Sequence, residues 1–113
     1  MRTLLYCTLA VIALGSMPAA APALAEDTAF ALTIHGHRFQ PDTLTVPTGK
    51  RIKLTIRNAD PTAEEFESHA LDIEKVIAGN SSAIIYIGPL EAGRYPFVGE
   101  FFEKTAKGVI VAK

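Results

Sequence analysis

The chain has 113 residues, enough for a single domain, with 11 Lys plus Arg against 12 Asp plus Glu. So even a balance excludes the basic surface that nucleic-acid binding requires, and one Cys excludes a disulfide framework.

The first segment pairs Arg2 with an apolar run from Leu4 to Leu14 and ends in the small residues around Ala23-Leu24-Ala25. This is the three-part layout of a secretory signal, with cleavage expected after Ala25 and a periplasmic destination for the remainder. The run is about 11 residues, against the roughly 20 needed to cross a bilayer as a helix, so no transmembrane segment is expected in the mature chain. Cys7 follows Leu4-Leu5-Tyr6, which lacks the small residue of a lipoprotein acylation site. Residues 26–113 then form one 88-residue domain with 10 basic and 12 acidic side chains, a net charge of −2. Neither Cys nor Met remains in it, since the only ones are Met1, Cys7 and Met17.

From Phe30 onward apolar residues recur at every second position, the period of half-buried strands. They are Leu32 and Ile34, then Leu44 and Val46, then Ile52, Leu54 and Ile56. The pattern returns in Leu71 and Ile73, Ala83 to Ile87, Tyr95 and Phe97, and Val109 and Val111, giving about seven strands. Turn signals separate them at Pro47-Thr48-Gly49, Asn58 to Pro61, Ala78-Gly79-Asn80, Gly88-Pro89 and Ala92-Gly93. The expected fold is an all-β antiparallel Greek-key sandwich or barrel. Asp60 to Ser68 breaks the pattern. Thr62-Ala63-Glu64-Glu65 reads there as a capped helical turn, with Phe66 pinned to the core and the acids of Glu64, Glu65 and Glu67 facing outward. Nothing resembles a Gly-rich phosphate loop or a nucleophile elbow, and 88 residues leave little room for a hydrolase cleft.

Phe39-Gln40-Pro41-Asp42-Thr43-Leu44-Thr45-Val46-Pro47-Thr48-Gly49, followed by Ile52 to Asn58, resembles the opening strands of the cupredoxin superfamily. Leu90 to Phe97 resembles the hairpin entering its copper-binding loop, and Lys107 to Val111 its closing strand. Within the superfamily, Asn58 to Ser68, Glu74 to Ile77, Ile87 to Leu90 and Tyr95 to Phe101 are most similar to small periplasmic cupredoxin-like proteins of bacterial ferrous-iron transport systems. The resemblance implies a copper or iron ion as ligand. It also implies a membrane iron permease or another periplasmic uptake component as partner, and a possible ferroxidase-type activity rather than a stand-alone enzyme.

A type 1 blue-copper centre needs a Cys thiolate and two His, usually with an axial Met. The resemblance puts Gly99 at the Cys, Phe102 at the second His and about Ala106 at the Met, with His69 near the first His. Three of the four ligands are absent. The remaining candidates at that end are Glu65, Glu67, His69 and Glu100, with Glu103 beside them, and carboxylates plus imidazole suit Fe(III), Cu(II), Mn(II) or Zn(II). In the iron-associated relatives a His often stands where this chain has Phe102. His35 and His37, two apart, are expected on one side of a strand, either as a ligand pair or as surface imidazoles with Gly36 allowing a bulge. The relatives tend to carry a His before the Arg38-Phe39 pair, which makes His37 the ligand candidate. Glu100 is expected to be partly buried, serving as a ligand or in an ion pair with Lys104, Lys107 or Arg94. Phe101 and Phe102 are adjacent and cannot both face a core, so at least one covers the metal end or anchors a partner protein. The latter would make the chain a metal-free binding module.

Overall fold

The computed structural model describes residues 10–18 and 27–113. The segment expected to be a secretory signal and its expected cleavage point fall largely on residues outside these, as does Cys7; residues 10–18 carry no regular secondary structure. Nine strands follow in chain order: β1 (Thr28–His35), β2 (Arg38–Gln40), β3 (Thr43–Val46), β4 (Ile52–Asn58), β5 (Glu64–Ser68), β6 (Ile73–Ile77), β7 (Ser81–Ile87), β8 (Gly93–Gly99) and β9 (Lys107–Ala112). A single turn of 3-10 helix, Glu100–Phe102, leads out of β8. The strands form a four-stranded sheet in the order β2-β1-β4-β7 and a five-stranded sheet in the order β3-β9-β8-β5-β6. The expected all-β Greek-key sandwich is the architecture found. Both sheets are mixed, because β1 runs parallel to β4 and β3 parallel to β9.

Period-two burial explains which residues meet between the sheets. Leu32 and Ile34 of β1 and Ile52, Leu54 and Ile56 of β4 are each at most 1% exposed. They face Phe66, Phe97 and Ile110 of the other sheet in one apolar cluster. Phe97 lies edge-on to Phe39 at 4.8 Å between ring centroids and tilted against Phe66 at 5.0 Å, both arrangements that aromatic quadrupoles favour. Among the described residues every strand and every buried apolar side chain lies between residues 28 and 112, so the core described here is carried by the segment from residue 27 onward.

Two strands escape the apolar pattern, and both matter for the site. β2 is only three residues long, with Phe39 alone buried. β5 replaces the helical turn expected near Thr62 to Glu65. It runs between β6 and β8, and its inward residues Glu64, Phe66 and Ser68 are all at most 2% exposed. The acids therefore do not all face outward: strand alternation sends Glu64 inside and only Glu65 and Glu67 outside. In β9 the buried positions are Ile110 and Ala112, with Val109 and Val111 on the outer side.

Side-chain oxygens and amides pin the loops at one end of the sandwich. Asn58 is fully buried; its Nδ2 donates to the carbonyls of Thr62 and Ile77, and its Oδ1 accepts the Asp60 amide. Asp60 in turn accepts the amides of Gly36 and His37 at 2.8 and 2.9 Å. Those two residues form the tight β1–β2 turn, at φ 60° and 55°. Two consecutive left-handed residues match the twist of a two-residue hairpin, and Gly36 adopts this without a Cβ penalty. The turn corrects the expectation for His35 and His37: His35 ends β1 and His37 lies in the turn, so they do not share a strand face.

Candidate metal centre

On the inner side of β5, Glu64 is 1% exposed and lies against Gly99, the last residue of β8. Its Oε1 accepts the amides of Glu65 and Phe101, both at 2.9 Å. Oε2 is buried with no hydrogen-bond partner among the described residues. A Cβ placed on Gly99 would lie 2.6 Å from both Cδ and Oε2 of Glu64, and 2.7 Å from the Cβ of Ala106. The carboxylate thus fills the space where a residue-99 thiol would enter.

On the outer side of the same strand, Glu65, Glu67 and the exposed Glu100 bring one carboxylate oxygen each within 4.8 Å of one another. Glu67 is 7% exposed, and Glu74 stands directly opposite it on β6, on the same face. Like charges directly across a strand pair repel, so this arrangement is unfavourable without a proton or cation to share. Burial first, then the charges of Glu100 and Glu74, push the Glu65 carboxyl above its ordinary value of 4.5. For Glu67 the leading cause is a hydrogen bond shared with Glu100, followed by burial and by the charge of Glu100; His69 pulls the other way. The Nε2 of His69 approaches the Oε1 of Glu67 to 3.2 Å, and both residues line a hollow of about 310 Å³ with Ser68, Asp72, Ile73 and Glu74.

The five sequence-derived candidates therefore separate. Glu65, Glu67 and Glu100 converge, and His69 touches the group through Glu67. His69 does not take the position beside Gly99. It follows Ser68, the end of β5, with its side chain 93% exposed, three residues past Phe66, the residue paired with Gly99. Glu100 is exposed rather than partly buried, and among the described residues it forms no ion pair with Lys104, Lys107 or Arg94. His37 is engaged elsewhere. Its ring stacks on Phe102 at 3.6 Å and 14°, its Nδ1 lies 3.5 Å from Asp60, and its carbonyl accepts the Thr105 hydroxyl. Phe102 is thereby partly covered, whereas Phe101 is 50% exposed. Glu64 was not anticipated as a site residue, although its alternation with Phe66 and Ser68 was available as a signal once that segment is read as a strand.

Residues 5–112 match the model of the cupredoxin-like domain. The chain belongs to the cupredoxin-like family. An uncharacterized protein of Rickettsia prowazekii (strain Madrid E) is 44% identical over 80 residues; the match covers 71% of this chain and 64% of that relative, so the chain spans under two thirds of its length. Among solved structures, the metal-binding domain of the Streptococcus pneumoniae Cu(I)-exporting P-type ATPase CopA, with Cu(I), superposes with a TM-score of 0.67 at 20% identity, covering 75% of this chain and 84% of that one. Auracyanin A, a blue copper protein of Chloroflexus aurantiacus, gives 0.66 at 11% identity over 78% of this chain and all of that one. A purple cupredoxin from Nitrosopumilus maritimus gives 0.60 at 15%, over 74% and 98%. At these identities the likeness establishes the fold. The cupredoxin-like domain does not fit a blue copper ion: residues 26–113 contain neither Cys nor Met, and the Glu64 carboxylate fills the space beside Gly99, the position that the resemblance gives to the Cys ligand.

Proposed function

We propose that this cupredoxin-like protein is a periplasmic metal-binding protein whose site lies on the outer face of the five-stranded sheet rather than in the copper position of its relatives. The convergence of Glu65, Glu67 and Glu100 within 4.8 Å carries the proposal. Three carboxylates with an imidazole in reach suit a hard or borderline cation such as Fe(III), Cu(II), Mn(II) or Zn(II), and a cation relieves the mutual repulsion that adds to burial at Glu65, and to the hydrogen bond with Glu100 and burial at Glu67, in raising their pKa values. The resemblance to proteins of ferrous-iron transport supports iron as the cargo and a membrane permease as the recipient. Export after cleavage at Ala25 is part of the same reading. Carriage of the metal is the role proposed.

Isothermal titration of residues 26–113 with Fe(III), Cu(II) and Zn(II) tests it. Stoichiometric binding that Glu67→Gln and Glu100→Gln each weaken at least about tenfold is the expected result; absence of binding by the intact domain would falsify it. A second reading, the metal-free module docking on a partner protein, is favoured by the 50% exposure of Phe101 beside the covered Phe102. If no metal binds and Phe101→Ser abolishes capture of a defined uptake component, that reading replaces the first.

A further inference from the structure

The two outer faces of the sandwich differ in charge: the five-stranded sheet carries Glu65, Glu67 and Glu74 with Arg94 and Lys107, whereas the four-stranded sheet carries cations alone. The chain contains 12 Asp and Glu, yet none lies in β1, β2, β4 or β7, the whole four-stranded sheet. Strand alternation turns Arg38, Lys53 and Arg57 outward from that sheet, together with Thr33, Thr55 and Ser82. At its β7 edge Ile84 and Tyr86 are 49% and 48% exposed, and Arg51 lies over the Tyr86 ring at 4.1 Å. The register places Lys53 beside Tyr86 and Thr55 beside Ile84, so the cationic and apolar groups are interleaved on one broad surface.

We infer that this face docks on an anionic lipid bilayer surface. Arg38 of β2 and Lys53 and Arg57 of β4 face outward with no acid on any strand of the sheet, Asp27 before β1 pairing with Arg51 alone at 3.6 Å, and such a patch complements a surface of negative charge. Each Lys or Arg near such a surface contributes roughly fivefold in affinity. A Tyr and an aliphatic side chain at the same level match the headgroup boundary, where amphipathic rings settle. The acidic face holding Glu65, Glu67, Glu74 and Glu100 then points away from the lipid.

The test is co-sedimentation of residues 26–113 with vesicles of phosphatidylcholine alone or with roughly one third phosphatidylglycerol, in low salt. Binding is expected only to the anionic vesicles. It should fall at least about 25-fold for K53E/R57E and substantially for the milder K53Q/R57Q. It should also be lost in about 1 M salt, where the Debye length shrinks to roughly 3 Å. R94E/K107E makes the same change in net charge on the opposite sheet and should leave binding within about twofold. No binding to anionic vesicles by the intact domain overturns the inference and leaves the face to an acidic protein. Equal weakening by R94E/K107E also overturns it, because net charge rather than this face would then be responsible.

Discussion

The inner and outer sides of β5 put the same side chain to different use. Glu64 accepts two backbone amides in a space closed by Gly99 and Ala106. Glu65 and Glu67, one position either side of Phe66, meet mainly other carboxylates and one imidazole. Amide donors settle a buried carboxylate as a structural cross-link between β5 and the turn after β8, whereas carboxylates facing one another need a proton or a cation. Residue type and burial alone would have ranked Glu64 as the stronger metal ligand; the partners reverse that order.

Glu64→Ala should have the largest effect of any change that separates the two sides. It leaves the Phe101 and Glu65 amides without their acceptor and opens a void, and urea denaturation should show a loss of about 2–4 kcal/mol. Gly99→Ala should cost about 1–3 kcal/mol by overpacking, and the double variant should be less destabilised than the sum, because removing the carboxylate makes room for the new methyl. Additive losses would mean that the two residues do not compete for one space.

On the outer side, Glu67→Gln should lower metal affinity at least about tenfold in titration calorimetry while leaving the metal-free fold as stable as before or more so. Metal affinity unaffected by Glu67→Gln but lost in Glu64→Gln would move the site to the inner side.

Acid should also distinguish the two kinds of carboxylate. Glu65 and Glu67 have raised values in the folded state, so the stability they contribute is fully present below 4.5 and is lost as pH rises through their folded values. Asp60 runs the other way. The His37 amide above all, with that of Gly36, holds it below 3.8 against the opposing effect of burial, so its contribution is present above 3.8 and lost as pH falls through the folded value. Urea midpoints across the acid range should fall as pH rises beyond 4.5, and saturating metal should flatten that slope. A slope unchanged in Glu65→Gln/Glu67→Gln would remove these residues from the explanation. The smallest effect is expected for His69→Ala, about twofold in metal affinity by the same titration, since the ring is 93% exposed and touches the group only through Glu67.

The sandwich was legible because six strands bury alternate aliphatic or aromatic side chains, and period two is visible wherever the inward residues are apolar. β5 was hidden by its composition. Its inward positions include Glu64 and Ser68, which are buried through hydrogen bonds that only the folded neighbours supply, the amide of Phe101 and the carbonyl of Pro96. β2 was hidden by its length and by a turn that depends on the Asp60 carboxylate 23 residues away. The sequence put Glu65, Glu67, His69, Glu100 and Glu103 at one end of the sandwich; the structure brings carboxylate oxygens of Glu65, Glu67 and Glu100 together, with His69 reaching them through Glu67. His37 was drawn off by Phe102 and Asp60, contacts with no local signal. His69 was misplaced because the loop before it was read as longer than it is.

The contact between Glu64 and Gly99 also bears on how such a chain could exchange one chemistry for another. A Cys introduced at residue 99 would meet the carboxylate before it could meet a metal, and shortening Glu64 alone would strand two amides and leave a gap. Each single step toward a thiolate site passes through a weakened fold, although the two together relieve one another. The geometry acts as a ratchet: the scaffold is one shared with blue copper proteins, while a thiolate at residue 99 is closed to one substitution at a time.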